Sequence, residues 1–235
     1  MLAGAHAIVR RLARRYVLPQ ACLFCAGACA RDGICESCRT NLPGRSTGRC
    51  PVCADISPQA SRCGRCLAEP PEFSRVVTAT SFGFPADAAI RRLKYARQLA
   101  LAQPLAMLLV ERLRGETMPD LIVPMPLSVQ RLRGRGFNQA LELARVVSSA
   151  LEVALEARRC VRVRDTAPQA ALPWQERRRN VRGAFQWHGK IGGARVAVID
   201  DVLTTGATLE ELARTLKRAG AREVWGWVVA RTERP

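Results

Sequence analysis

The spacing of apolar residues changes repeatedly along the chain, and the changes mark its elements. Val196, Ala197, Val198 and Ile199 form an unbroken apolar run after Arg195, the pattern of a parallel strand buried on both faces. It stops at Asp200 and Asp201, so a strand over 195–199 is predicted to end at a polar loop. Beyond that loop Leu212, Leu216 and Ala219 recur at helical spacing and predict an amphipathic helix over 209–219. Upstream, a strand is expected over 75–84 and a helix over 86–95 bearing Ile90 and Leu93. A second helix over about 99–113 carries Leu101, Leu105, Leu108 and Leu109 as its core stripe. Residues 120–127 read as a short buried strand broken by Pro124 and Pro126. Gly134 and Gly136 then permit a sharp loop over 131–139, and a helix runs from about 137 to 151. Strands at 159–163, 185–187 and 223–230 complete the pattern. Such alternation specifies an α/β fold, a parallel sheet with helices on both faces and ligand loops at the carboxyl ends of its strands.

Nine of the ten cysteines lie before this pattern begins, between Cys22 and Cys66. Cys22 and Cys25, then Cys35 and Cys38, form two C-x-x-C knuckles nine residues apart; Cys50, Cys53, Cys63 and Cys66 repeat that spacing. Two knuckles supply four thiolates in a tetrahedron, so two structural Zn²⁺ in a double zinc ribbon are expected, with no open position for catalysis. Pairing of the knuckles in sequence is assumed, and Cys35/Cys38 with Cys50/Cys53 is the alternative. A disulfide framework suits neither this spacing nor a chain without a secretion signal. Cys29 and Cys160 are left as buried small residues. Three units result: a basic N-terminal helix over 1–20, the double ribbon over 21–68, and an α/β domain over 74–235, joined by a linker containing Pro70 and Pro71.

Charge adds a partner class. The 235 residues carry a net charge of +17 and an isoelectric point near 10.8, so polyanions are the expected partners. Arg10, Arg11, Arg14 and Arg15 interleave with Ile8, Leu12 and Tyr16 in the first helix. That stretch lacks the apolar core and cleavage site of an export signal, and a cytoplasmic location is expected. No apolar run is long enough for a membrane span.

The chemistry concentrates after Asp200 and Asp201, where Thr204, Thr205, Gly206, Ala207 and Thr208 open a helix. Hydroxyls and amides at a helix N-terminus cradle phosphate. The adjoining carboxylates would repel it unless they hold sugar hydroxyls or Mg²⁺. A ribose 5-phosphate answers both demands. A carboxylate pair of the Walker B type would need a G-x-x-x-x-G-K-[ST] partner, which the chain lacks. The loop bearing Arg131, Arg133 and Arg135 is a second anion cradle, and the polar segment 164–184, with Thr166, Gln169, Arg177 and Asn180, reads as a lid.

The stretch from Val196 to Thr208 closely resembles the 5-phosphoribosyl-1-pyrophosphate (PRPP) signature of the type I phosphoribosyltransferases. With the double ribbon, the Pro-x-Pro-Leu segment, the loop ending in Gly136, Phe137, Asn138 and Gln139, and the lid motifs, the chain resembles the ComF family. That resemblance covers essentially 22–231 and implies a type I phosphoribosyltransferase-like fold, PRPP with Mg²⁺ as ligand, and a role in DNA uptake during natural competence. It implies that Asp200 and Asp201 hold the ribose hydroxyls, that residues 204–208 wrap the 5-phosphate, and that Arg131 and Arg133 face pyrophosphate. These four charged residues are the catalytic candidates. Displacing pyrophosphate from C1 asks for placement, cations and exclusion of water rather than a protein nucleophile. The only histidines, His6 and His188, accordingly lie outside every motif. Two readings follow: an enzyme transferring phosphoribose to an acceptor, or a PRPP-binding, non-catalytic protein engaging single-stranded DNA or a DNA-uptake protein. Aromatic residues make up only 5% of the chain, which disfavours an extended base-stacking platform.

Overall fold

A computed structural model of the chain describes residues 20–29, 33–44, 48–165 and 179–233. The basic helix expected over 1–20 lies outside them except for Gln20, as do Thr166, Gln169 and Arg177 of the expected lid. The cysteine-rich part contains the short antiparallel pair β1 (Gln20–Ala21) and β2 (Ala28–Cys29), then α1 (Glu36–Thr40) and α2 (Gly64–Ala68). After it come β3 (Arg75–Ser81), α3 (Ala86–Tyr95), α4 (Ala102–Leu113), β4 (Leu121–Pro124), α5 (Val129–Arg135) and α6 (Gln139–Leu151). The chain continues with β5 (Cys160–Arg162), β6 (Phe185–Trp187), β7 (Arg195–Leu203), α7 (Ala207–Arg218) and β8 (Glu223–Arg231).

β3, β8, β7 and β4, in that order, form one parallel sheet. The period of two along its strands sorts their side chains into two cores. Ile122, Ala197, Ile199, Trp225, Trp227 and Val229 point to one face, under the leucines of α4 and α6 and Ile90 and Leu93 of α3. Val123, Val196, Val198, Val224 and Val228 point to the other, under Leu209, Leu212 and Leu216 of α7. Burying each such side chain contributes about 1.5–3 kcal/mol, which is why an unbroken apolar strand settles between two helix layers. Gly226 of β8 makes the second contact close: a Cβ there would stand 2.5 Å from Leu209 Cδ2 and 3.1 Å from Val76 Cγ2.

The expected α/β architecture is present: a parallel sheet with helices on both faces, preceded by paired cysteine knuckles. Several local expectations are corrected. β7 does not stop at Ile199 but runs on to Leu203, since Asp200 and Val202 keep their ladder partners Val228 and Ala230 on β8. The basic segment after β4 is a helix rather than an open loop. Ser128 Oγ caps it by accepting from the Arg131 amide, and Gly136, at φ 84°, closes it in the left-handed conformation. Gly134 lies within that helix. The helix expected from Leu99 begins as a 3₁₀ turn, Leu99–Leu101, before α4. β5 and β6 pair antiparallel with each other and stay out of the main sheet. Among the described residues no helix is long and apolar enough to cross a membrane.

The two cysteine groups pack against different cores. Cys22, Ile34 and Leu42 pack into the core beneath α4 and α6, whereas Cys50, Val52, Cys53, Ala54 and Cys66 pack into the core beneath α7.

Candidate functional site

All four strands of the sheet run the same way, so their carboxyl ends share one edge, and the charged residues gather there. The two carboxyl groups at the end of β7 stay in contact, the Asp201 amide donating to Asp200 Oδ1 at 2.9 Å, but have different further partners. Asp200 lines a crevice with Met125, Val198, Thr204 and Thr208. Asp201, 2% exposed, forms an ion pair with Lys94 at the end of α3 and accepts from Gln139 Nε2 at 3.2 Å. The residues that open α6 explain the Asn-Gln pair of the sequence. Asn138 Oδ1 accepts from the amides of Ala140 and Leu141 as N-cap, while its Nδ2 donates to the Met125 carbonyl at 3.1 Å. Gln139, held in turn by Arg135, is thereby delivered to Asp201.

These contacts separate the two acids. Burial, then the charge of Asp201, pushes the Asp200 carboxyl well above the usual carboxylate range. Burial also works against Asp201, but the Lys94 charge and bonds from Asp200, Lys94 and Gln139 hold it below that range. Lys94 is raised: burial opposes its charge, and Asp201 and Asp200 more than restore it. Of the two, Asp201 is therefore the readier to ionise and Asp200 the more reluctant.

The loop beyond the strand turns at Gly206, whose φ of 87° favours glycine, and Ala207 begins α7. Phe73 packs 3.7 Å from where a Cβ on Gly206 would stand. The Ala207 amide reaches Thr205 Oγ1 at 3.3 Å. Thr204 is exposed, Thr205 and Thr208 half-buried, Gly206 and Ala207 buried. Together they form a helix N-terminus with three nearby hydroxyls, the arrangement an anion needs.

Arg131 and Arg133 are on α5. Two residues along a helix turn the side chain by about 200°, so the half-buried Arg131 and the exposed Arg133 face opposite ways. Arg131 shares its surroundings with Arg162 of β5, whose own setting is buried. Burial and the like charge of Arg131 lower the Arg162 pKa, while Asp165 and Asp200 oppose them. Arg131, Arg162 and Asp200 thus form one electrostatic neighbourhood. Asn180 is half-buried just before Val181 and Ala184, which are fixed in the core beneath α7.

Lys94, Gln139 in its role on Asp201, and Arg162 are absent from the sequence-derived set. A signal for two of them existed. Lys94 follows Ile90 by four residues and so falls on the apolar stripe of α3, and Arg162 shares a strand face with the buried Cys160. A charge where the period demands an apolar residue marks a buried polar contact.

The eight knuckle cysteines gather as predicted, paired in sequence. Sγ atoms of Cys22, Cys25, Cys35 and Cys38 lie within 4.8 Å of one another, as do those of Cys50, Cys53, Cys63 and Cys66. The Cys25–Cys35 and Cys53–Cys63 sulfur pairs stand 3.7 and 3.6 Å apart. Zn–S bonds of about 2.3 Å give a tetrahedron edge of about 3.8 Å, so the groups fit a tetrahedral metal. The amides of Cys35 and Cys63 donate to Cys22 and Cys50 Sγ at 3.3 Å in both. Burial raises these two thiols, but amide donors outweigh it and hold Cys22 down to about 6 and Cys50 down to about 7. All ten cysteines are free of disulfides, Cys160 buried and Cys29 partly so.

The phosphoribosyl transferase domain family matches residues 138–233. DNA utilization protein YhgH of Salmonella typhi is 35% identical over 221 residues, 85% of this chain and 97% of the relative. Competence protein F of Haemophilus influenzae is 31% identical over 222 residues, 89% of this chain and 96% of the relative. Among solved structures, a purine phosphoribosyltransferase from Pyrococcus horikoshii Ot3 aligns over 57% of this chain and 84% of its own, with 24% identity and a TM-score of 0.37.

The Lys94–Asp201 pair makes a prediction about stability. Lys94→Met strands a buried carboxylate and should cost about 3 kcal/mol at pH 7, read by denaturant unfolding. Asp201 is lowered, so its contribution is present above about pH 4, the unfolded value, and is lost as pH falls through the folded one. Lys94 is raised, so its contribution is present below about pH 10 and is lost as pH rises further. The gap between parent and variant should therefore be full between those limits and close outside them. An equal stability for both proteins at pH 7 would refute the pairing.

Proposed function

The chain belongs to the ComF family, that of competence protein F and DNA utilization protein YhgH, and we propose that it binds PRPP at residues 200–208 and acts in the handling of DNA during uptake. The observation that carries this reading is the junction of β7 and α7. Two neighbouring carboxyl groups, one held to Lys94 and Gln139 and the other lining a crevice, adjoin a helix-opening loop of hydroxyls and amides at the carboxyl edge of a parallel sheet. In this reading the amides and hydroxyls of 204–208 take the 5-phosphate, Asp200 accepts from a ribose hydroxyl, and Arg131 and Arg162 face the pyrophosphate. Arg133 and the lid residues Thr166, Gln169, Arg177 and Asn180 belong to the same proposed site. Asp201 is committed to Lys94 and sets the charge of Asp200. Mg²⁺ bound with PRPP would supply neutralising charge on the pyrophosphate, and the hard carboxylate oxygen of Asp200 suits it. The metal of the two ribbons is Zn²⁺, held by the two four-cysteine groups, and a reducing cytoplasm is the setting that keeps those thiolates available.

Whether phosphoribose is then transferred is decided by a pyrophosphate-release screen across acceptors. The site offers what departure of pyrophosphate requires: cations and an edge from which a lid can exclude water. The alternative, a PRPP-binding protein that engages single-stranded DNA without catalysis, is favoured by the net charge of +17.

Asp200→Asn alters the carboxyl that receives the ribose hydroxyl; loss of that one hydrogen bond, about 0.5–1.5 kcal/mol, should lower Mg-PRPP affinity by calorimetry roughly 2- to 10-fold with the fold intact. Thr205→Val should weaken ribose 5-phosphate and PRPP alike, and Arg131→Ala should affect PRPP far more. Parent-like affinity in Asp200→Asn would show the site to be misplaced.

Elemental analysis of protein purified without chelator should return about two zinc ions per chain. Structural Zn²⁺ of this kind contributes on the order of 10 kcal/mol to local folding. Its absence from both ribbons would remove the assignment.

Single-stranded DNA should bind without sequence preference, each neutralised phosphate adding roughly −0.7 to the log–log salt slope. A flat slope would exclude direct phosphate contact.

A further inference from the structure

The second metal centre is fastened to the back of the phosphate loop. Arg231 closes β8 and is fully buried, at 0% exposure. Its Nε donates to the carbonyl of Cys53 at 3.1 Å, and its Nη2 lies 3.4 Å from Asp55 Oδ2. From the same guanidinium, Nη1 donates to the carbonyls of Leu203 at 3.1 Å, Thr204, and Thr232 at 2.6 Å. One side chain thereby joins the Cys50–Cys53 knuckle to the start of the phosphate loop. A second arginine extends the link by one residue. Arg65, between the metal ligands Cys63 and Cys66, donates from Nη1 to the Thr205 carbonyl at 3.2 Å. Both knuckles of this centre therefore hold the loop, through three consecutive carbonyls.

A trans peptide unit is planar, with its N–H and C=O pointing opposite ways. Holding the carbonyls of Leu203, Thr204 and Thr205 toward the ribbon turns away the amides in the same peptide units, those of Thr204, Thr205 and Gly206. That is the side on which an anion cradle needs its donors. The first metal centre is fastened elsewhere: Arg39 of α1 pairs with Glu111 of α4 at 2.8 Å, and Gly33 lies against Pro104.

We propose that the second metal centre is a working part of the phosphate site, with Arg65 and Arg231 as positioning residues that fix the amides of 204–206. Loss of metal from Cys50, Cys53, Cys63 and Cys66 then lowers phosphate affinity, while loosening the first centre from α4 does not. This rests on the reading that residues 204–208 take the 5-phosphate.

The test uses the full chain and the variants Arg65→Ala, Cys66→Ser and Arg39→Ala. Zinc content, calorimetry with ribose 5-phosphate and Mg-PRPP, and hydrogen exchange of the segment 203–208 without ligand are measured on each. Arg65→Ala should keep both metals, weaken ribose 5-phosphate about fivefold, as loss of one ordinary hydrogen bond would, and speed exchange in the segment. Cys66→Ser should lose one metal and weaken binding by roughly tenfold or more, since more than one donor is freed. Arg39→Ala should match the parent in affinity and exchange. Parent-like exchange of 203–208 in both Arg65→Ala and Cys66→Ser overturns the coupling, as does an Arg39→Ala effect equal to that of Arg65→Ala. If the parent binds neither ligand, the phosphate reading fails, and the exchange rates still decide the coupling.

Discussion

Two neighbouring carboxylates at the buried end of a strand cannot both be ionised unaided, and much of the fold around β7 answers that constraint. Like charges about 4 Å apart repel by about 4 kcal/mol at the effective dielectric near a protein surface. A lysine from one helix and an amide from another favour the charge on Asp201, which leaves Asp200 the harder of the two to ionise. To bring them there, α3 must end beside the carboxyl edge, and α6 must begin beside it. The Asn138 cap and its bond to Met125 fix the second requirement. The registers of two helices are thus tied to the charge state of one dipeptide.

Much of this was legible locally. The period of two and the period of about 3.6 located most strands and helices, because each apolar residue is placed by the layer it must reach. Cysteine spacing identified both tetrads. The turn that opens α7 was legible because Gly206 and the threonines around it lie close together in sequence. Where prediction missed locally, a cap decided: Ser128 and Gly136 make a helix of a segment whose glycines and arginines suggested a loop. β7 outran its apolar run because ladder partners on β8 hold Asp200 and Val202.

What composition and period could not reveal are pairings between distant parts of the chain. Arg231 and Cys53 are 178 residues apart, and Arg65 and Thr205 are 140 apart. Their meeting depends on strand order, which no local pattern encodes. Such residues leave only a faint trace, a charge at a position the pattern reserves for an apolar side chain. Arg231 ends a strand whose other residues, apart from Glu223, are all buried.

Identical spacing in the two ribbons conceals unequal shelter. In the first tetrad only Cys22 is buried, and Cys25 is exposed; in the second, Cys50, Cys53 and Cys66 are all buried and Cys63 is partly so. Thiolates are attacked by oxidants and competing chelators in proportion to their access. A metal held by the first tetrad would be the outer one, more open to oxidants and chelators, and one held by the second would be the better sheltered. A protein that had lost only the outer metal would be half-metallated, with the second tetrad still packed into the core beneath α7.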